Sequence, residues 1–403
     1  MDGGAFRDIK VADFSWGLVG PLTAKYLGDH GATVVRVESQ TTPCITRLVG
    51  PYAGGKPGVN RAGYFAFVNA NKYSLSVNLK NKKGLELAKR LISWADVVVE
   101  SFRPGVMARL GLAYENIKQI KPDIIYVQTS TLGSTGPYHS YGGFGTVLVA
   151  LCGFSGLTGY KGEDPLPFPH AYTDFISPRF AGSAMLAALI HRRKTGKGQF
   201  IDCSQMESSL WFLMTAMLDY TANNHPGGRK GNASSSAAPH GVYRCQGDDR
   251  WVAITVTDDS MWQKFCQALG NPPWAQEPRF ATFPGRKENE AELNARISEW
   301  TINHSPEIIM KKLQSAGVPA GVVFNAIDLI QNDELKERGA LWVLPHEEMG
   351  PFTHLGQPFR LSKTPAQGRM ASPCLGMHNG YVCTEILGMN DAEFMELLKS
   401  GAF

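Results

Sequence analysis

Ten histidines and seven cysteines are the side chains of this chain best suited to holding a metal or attacking a substrate, yet their spacing argues against both uses. The cysteines stand at 44, 152, 203, 245, 266, 374 and 383. None forms Cys-x-x-Cys, so neither a zinc ribbon nor a dithiol redox site is indicated. His170, His191 and His240 lack a metal-ligand spacing such as His-Glu-x-x-His. No Gly-x-Ser-x-Gly elbow and no Walker loop occur. Gly17-Leu18-Val19-Gly20-Pro21 lies where a dinucleotide-binding turn would, but lacks the Gly-x-Gly-x-x-Gly spacing. Without that turn, Glu38 reads as a surface carboxylate at a strand end, and nicotinamide chemistry is rejected. Four cations remain, Arg36, Lys72, Arg103 and Arg109, near strand ends and loop–helix junctions. In an open parallel sheet the ligand crevice lies at the carboxyl ends of the strands, where such groups can hold phosphates. Arg36 and Arg109 read equally well as solvated surface charges.

The elements that must position these residues alternate strand with helix. Ile9–Phe14, Thr33–Glu38, Tyr73–Leu79, Asp96–Glu100 and Asp123–Gln128 are apolar-alternating or β-branched runs. Helical spacing falls between them, over Pro21–His30 and Lys82–Trp94. That rhythm predicts right-handed βαβ units on a parallel sheet. A buried helix is expected over Arg179–Arg193, with Ser177 as N-cap and Pro178 in its first turn. It should end at the glycines of Lys194-Thr195-Gly196-Lys197-Gly198. Ser204-Gln205-Met206-Glu207 reads as a capping box opening the helix that holds Leu210–Tyr220. From Asn223 the chain turns rich in Gly, Ser, Asn and Pro, marking a boundary. A hairpin around Gly247-Asp248-Asp249, three helices and a strand at Gly321–Phe324 then make a smaller α+β unit. A last helix is expected near Asp391–Ser400.

Composition narrows the function classes. The 403 residues carry 40 Lys+Arg against 36 Asp+Glu, a net +4, too small an excess for a general nucleic-acid binder. Glycine is high, 43 residues or roughly 11% against a usual ~7%, which suits many tight turns. The apolar stretches around Phe180–Ile190 and Gly145–Phe154 fall short of the ~20 residues a membrane span needs. MDGGAFRDIK shows no export signal. We therefore expect a soluble cytoplasmic protein with reduced thiols and neither nucleic-acid nor membrane partner.

Four segments, in order along the chain, resemble the class III CoA-transferase family. They are Gly20-Pro21 with LGDHGATVVRVES, Asn69-Ala70-Asn71-Lys72-Tyr73-Ser74, and Glu100-Ser101-Phe102-Arg103-Pro104-Gly105 with Arg109-Leu110-Gly111. The fourth is Tyr172-Thr173-Asp174-Phe175 with the buried helix and TGKGQ. GMHNGYV near the C-terminus extends the resemblance over essentially the whole chain. The family likeness implies a Rossmann-like large domain, discontinuous over 1–224 and 331–403, with a small α+β domain over 225–330. It also implies an interlocked-ring dimer, with an identical or a homologous partner subunit. Asp174 is the implied nucleophile, passing through acyl anhydride and aspartyl-CoA thioester states with no tightly bound cofactor and no metal. Its alternative use as a helix cap is weakened by Ser177, which stands closer to Pro178. Coenzyme A thioesters and carboxylic acids are the implied substrates. Arg36, Lys72, Ser101, Arg103 and Arg109 would hold CoA, Phe102 would lie against its adenine, and Trp16, Leu18, Phe144 and Gly145 would line the acid pocket.

The departures are informative. Leu18 stands where some members have Gln, which makes small polar acceptors such as oxalate unexpected. Pro178 replaces a common Gly, and only Ser234–His240 corresponds to a glycine-rich flap. The related racemases need a second base, supplied as His in a Gly-His-Asp segment. Here Tyr141-Gly142-Gly143-Phe144-Gly145 puts a phenyl ring at that place, and a phenyl ring exchanges no proton. His139 is out of register. We expect a transferase rather than a racemase or an inactive CoA-binding subunit. Leu18, Phe144 and the aromatic Tyr64–Phe67 stretch, with a general likeness to family members of anaerobic aromatic degradation, suggest a succinyl-CoA donor and a bulky or aromatic acceptor such as a substituted succinate.

Overall fold

Alternating apolar residues in short β-branched runs can be buried on both faces only in a sheet covered by helices, and this is how the first part of the chain folds in the computed structural model, which describes residues 4–168 and 170–403. The first residues of MDGGAFRDIK thus lie outside the described residues. Six strands form one sheet: β1 Lys10–Asp13, β2 Thr33–Glu38, β3 Tyr73–Ser76, β4 Val97–Glu100, β5 Ile125–Ser130 and β6 Gln199–Ser204. Their order is β3-β2-β1-β4-β5-β6, and every pairing is parallel. This is the doubly wound order, with its direction reversing between β1 and β4.

Helices α1 Val19–Asp29, α2 Gly63–Asn69, α3 Lys82–Trp94, α4 Val106–Arg109, α5 Tyr114–Ile120 and α6 Gly145–Leu151 follow the strands. On one face Val11, Val34, Val97, Val99 and Val127 pack against Leu27 of α1 and against Ala181, Met185 and Ala188 of a long helix. On the other, Ala12, Val35, Val37 and Val98 meet Leu87, Ala88 and Leu91 of α3 and Val382 and Leu397 of the C-terminal tail. Asn81 caps α3, accepting from Lys83 N–H and Gly84 N–H.

The long helix runs over Tyr172–Thr195 with Ala171 at its N-cap. It starts seven residues before the expected Arg179, so Ser177 is not a cap and Pro178 lies inside the helix. A proline there removes only one helical hydrogen bond, the one to the Asp174 carbonyl. Local propensity does not decide such a case; the packing of Ile176, Ala181 and Met185, all buried, holds the helix through it. The helix expected through Leu210–Tyr220 is likewise interrupted, as Gln205–Leu210 and Met214–Asn223 separated by a 3-10 turn at Trp211–Leu213.

The chain divides into two units. The first comprises Met1–Ser155, Pro167–Gly227 and Asp333–Phe403, and the second Gly156–Leu166 and Gly228–Asn332. The sequence gives no hint that the short Gly156–Leu166 segment belongs with the second. That unit has its own sheet, His240–Arg244 beside Trp251–Thr255 beside Ala320–Val322, all antiparallel. Its core is built from Trp262, Phe265, Phe280, Leu293, Ile297, Ile309 and Leu313.

Candidate active site

The reversal between β1 and β4 leaves a crevice at their carboxyl ends, and the loops leaving those two strands meet there. Ser101, just after β4, locks them together. Its Oγ accepts from Trp16 N–H at 2.8 Å and donates to Trp16 O at 2.7 Å. The Trp16 and Phe102 rings follow, 5.5 Å apart and tilted. Trp16, Ser101 and Phe102 are thus brought together, but the Ser101 hydroxyl is already engaged by the backbone and acts as a bracket rather than a ligand group. Arg103 and Arg109 remain exposed, at the start and the end of the turn and α4.

Arg36 and Lys72 are corrected by the structure. Both are fully buried. The β1–β2 register places Asp13 opposite Arg36. Arg36 Nη1 donates to Ser15 O at 2.8 Å and to Asp13 Oδ2 at 3.3 Å. Lys72 Nζ donates to Asp13 Oδ2 and Pro21 O at 2.8 Å and to Asn69 Oδ1 at 3.0 Å. An ammonium has three donors and all three are occupied, so none is left for a phosphate. Glu38 is no surface carboxylate either: it is buried between Arg36 and Arg47, with Arg47 Nη2 at 2.8 Å. Burial raises the Asp13 carboxyl, but Lys72 and Arg36 outweigh it and hold it below its usual range. Burial likewise raises Glu38, and Arg36 and Arg47 reverse that. These charges brace β1, β2 and β3 from beneath the crevice. Leu18 is buried as well, at the N-cap of α1.

The other side of the site is the Tyr141–Gly145 stretch that opens α6. Gly142 lies so close to the Arg103 guanidinium that a side chain there would overlap it. A Cβ at Gly145 would fall 2.6 Å from Asp174 Oδ1 and would also strike Ala171. Both glycines therefore serve close approach. They stand three positions apart, a span of at most about 11 Å, so a short strip of backbone has the guanidinium at one end and the carboxylate at the other. Phe144, between them, is 72% exposed. Gly142 escaped the sequence reading, although the Gly-Gly pair beside Gly145 was the signal available.

Asp174 sits in the first turn of the Tyr172–Thr195 helix, its N–H donating to Ala171 O at 2.9 Å. Leu148 and Val149 of α6, Cys152, Phe154 and Ile176 form a buried cluster that clamps α6 to this turn. Each large side chain so buried stabilises by about 1.5–3 kcal/mol, which keeps Gly145 against the carboxylate. Burial raises the Asp174 carboxyl to about 7. A poorly solvated carboxylate that still ionises near neutrality is a competent nucleophile. Among the described residues no group of three or more His, Cys, Asp or Glu is placed to hold a metal ion, and no helix is long and apolar enough to cross a membrane.

The sequence model of CoA-transferase family III matches residues 6–379. The succinyl-CoA–D-citramalate CoA-transferase of Chloroflexus aurantiacus is 30% identical over 392 residues, 97% of this chain and 96% of that protein. The human succinyl-CoA:glutarate CoA-transferase is 31% identical over 396 residues, 98% of this chain and 88% of that protein. Among solved structures, a CAIB/BAIF family protein from Brucella suis superposes with a TM-score of 0.88 at 30% identity, covering 96% of this chain and all of that one.

Proposed function

The chain belongs to CoA-transferase family III, and from that premise we propose that it moves CoA from succinyl-CoA to a carboxylate of a substituted dicarboxylic acid through Asp174. The observation that carries this reading is the Asp174 carboxyl itself, pressed onto Gly145 and raised to about 7 by burial.

Asp174 attacks the donor thioester carbonyl, the C–S bond breaks, and CoA leaves as its thiolate from a mixed anhydride. The thiolate then attacks the aspartyl carbonyl of that anhydride, releasing the donor carboxylate and leaving an aspartyl-CoA thioester. The acceptor carboxylate attacks this thioester and expels the thiolate again. A final attack of the thiolate on the acceptor's carbonyl makes the product and frees Asp174. Each step exchanges one anion for another, so no proton need be supplied. Arg103 and Arg109 take the CoA phosphates, Arg with its fork of donors being well shaped for them. Phe102 offers a ring for the adenine, and Ser101 ties its segment to Trp16.

Two relatives support a dicarboxylate acceptor: their names give D-citramalate, itself a substituted succinate, and glutarate. Trp16 and the exposed Phe144 supply apolar surface for a bulky or aromatic substituent. Phe144 also argues against two-base racemisation. The working form we propose is a dimer of interlocked rings, with itself or a homologous chain, in the cytoplasm, a compartment that suits its seven unpaired cysteines.

The test is to incubate the protein with succinyl-CoA, trap with hydroxylamine or borohydride, and map the modified peptide. Label on Asp174 is expected. No label, with deuterium entering the α-carbon from heavy water, would favour a racemase, and full transfer by Asp174→Ala would end the aspartyl mechanism. Oxalate emerging as the preferred acceptor would overturn the substrate class.

A further inference from the structure

Glu100 takes no part in the chemistry above, yet it is 1% exposed at the head of the segment that carries Ser101, Phe102 and Arg103. Its Oε2 accepts the Phe102 N–H at 2.7 Å. The sheet fixes it from the other side: β4–β5 register places it opposite Gln128, whose side chain hydrogen-bonds the same carboxyl. Gln128 in turn stands opposite Asp202 of β6. Glu100 is thus anchored to the sheet and grips the loop by its backbone.

What that loop presents depends on the grip. Ser101 brackets Trp16, the Phe102 ring meets the Trp16 ring, and the Arg103 guanidinium lies on Gly142. Behind the turn lies a cavity of about 270 Å³, reached by Glu100, Pro104, Met107, Tyr114, Tyr126 and Phe200. The turn borders open space there, and the carboxyl adds a restraint to the packing of Phe102 and Met107 on the core.

We propose that Glu100 is a positioning residue for acyl-CoA, setting the turn that aims Phe102 and Arg103 at the ligand. The proposal rests on the reading of this crevice as the CoA site. Three variants test it, with CoA affinity measured by calorimetry and KM and kcat by turnover. Glu100→Leu fills the space without an acceptor, Glu100→Asp withdraws the carboxyl by one methylene, and Glu100→Gln keeps an oxygen for Phe102 N–H. Expected are a roughly tenfold or larger rise in CoA Kd and acyl-CoA KM for Leu and Asp, with kcat within about threefold, and recovery of most of the loss in Gln. Should Glu100→Leu not fold, the Asp and Gln pair decides. Wild-type CoA affinity in Glu100→Asp overturns the proposal while leaving the transferase reading intact. A kcat loss without a KM change, or no rescue by Gln, also overturns it. Failure of the wild-type protein to bind CoA removes this proposal together with the reading beneath it.

Discussion

A carboxylate that attacks a thioester must be ionised but not comfortably hydrated, and at the scale of single residues burial sets these two demands against each other at Asp174. Its protonated form cannot attack, and burial brings that form up to about pH 7. Log kcat/KM is therefore expected to climb with a slope near one below about pH 7 and to level above it, provided chemistry limits the rate. A profile flat down to pH 5 would show that Asp174 ionises like an exposed carboxylate. Gly145 sets the other limit. A methyl group there falls 2.6 Å from Asp174 Oδ1, so Gly145→Ala must push the carboxylate or α6 aside. A displacement of about 1 Å costs on the order of 10²-fold in rate; kcat should drop by about that much while the circular dichroism spectrum stays native. In the sequence, Asp174 is singled out only by the motif around it. Gly145 could be named beside it for the same reason, whereas its contact with the carboxylate depends on how α6 packs, which no local pattern carries.

At the scale of elements, strand register explains why some cations are sealed within the sheet while others stay exposed. Asp13 and Arg36 are partners across β1 and β2, and Lys72 enters just before β3 to complete the cluster. Alternating patterns announce strands but not which strands are neighbours, so a cation sealed between three of them looks in sequence like one on the surface. The same limit hid Glu38, Arg47 and the role of Glu100. The Pro178 rule failed for a related reason, because tertiary packing overrode a local preference. Removing one partner from a buried ion cluster costs about 3–5 kcal/mol. Lys72→Met should therefore lower Tm sharply, while the folded fraction keeps its KM for acyl-CoA; a raised KM at unchanged Tm would instead make Lys72 a phosphate ligand. The pH dependence of stability divides by sign. Asp13 and Glu38 are held low, so their contribution is present above the unfolded carboxyl range and lost on acidification. Glu100 is raised to about 8 by burial, against the pull of Phe102 N–H and Gln128. Its contribution is present below about 4.5 and is lost as pH rises through 8. Glu100→Gln should accordingly lose less Tm than the wild type between pH 6 and pH 9, and an equal loss in both would place the raised carboxyl elsewhere.

For the whole molecule, the helix at Met214–Asn223 poses a question of stability. It has ten residues and none of them is buried. Just before it Trp211 is 66% exposed, and within it Leu218 is 56% exposed. Isolated helices shorter than about 12–15 residues are marginal in water, and most helical stability comes from burying an apolar face. Among the described residues nothing buries this one. The apolar residues Phe212, Met214, Met217 and Tyr220 join Trp211 and Leu218 among the exposed side chains, more than a surface left open to water usually carries. A second chain covering this segment resolves both points and agrees with the interlocked dimer proposed above. Light scattering at micromolar concentration should then give twice the mass of 44.0 kDa, or that of a pair with a homologous chain when the two are made together. Charging the segment, with Met217→Lys and Leu218→Lys together, should shift the protein toward monomer and aggregate and lower Tm by more than two exposed substitutions otherwise would, since surface changes rarely exceed about 0.5 kcal/mol each. If the doubly charged variant kept the wild-type mass, Tm and activity, this helix would not be part of the interface, and the partner would have to be sought on another face.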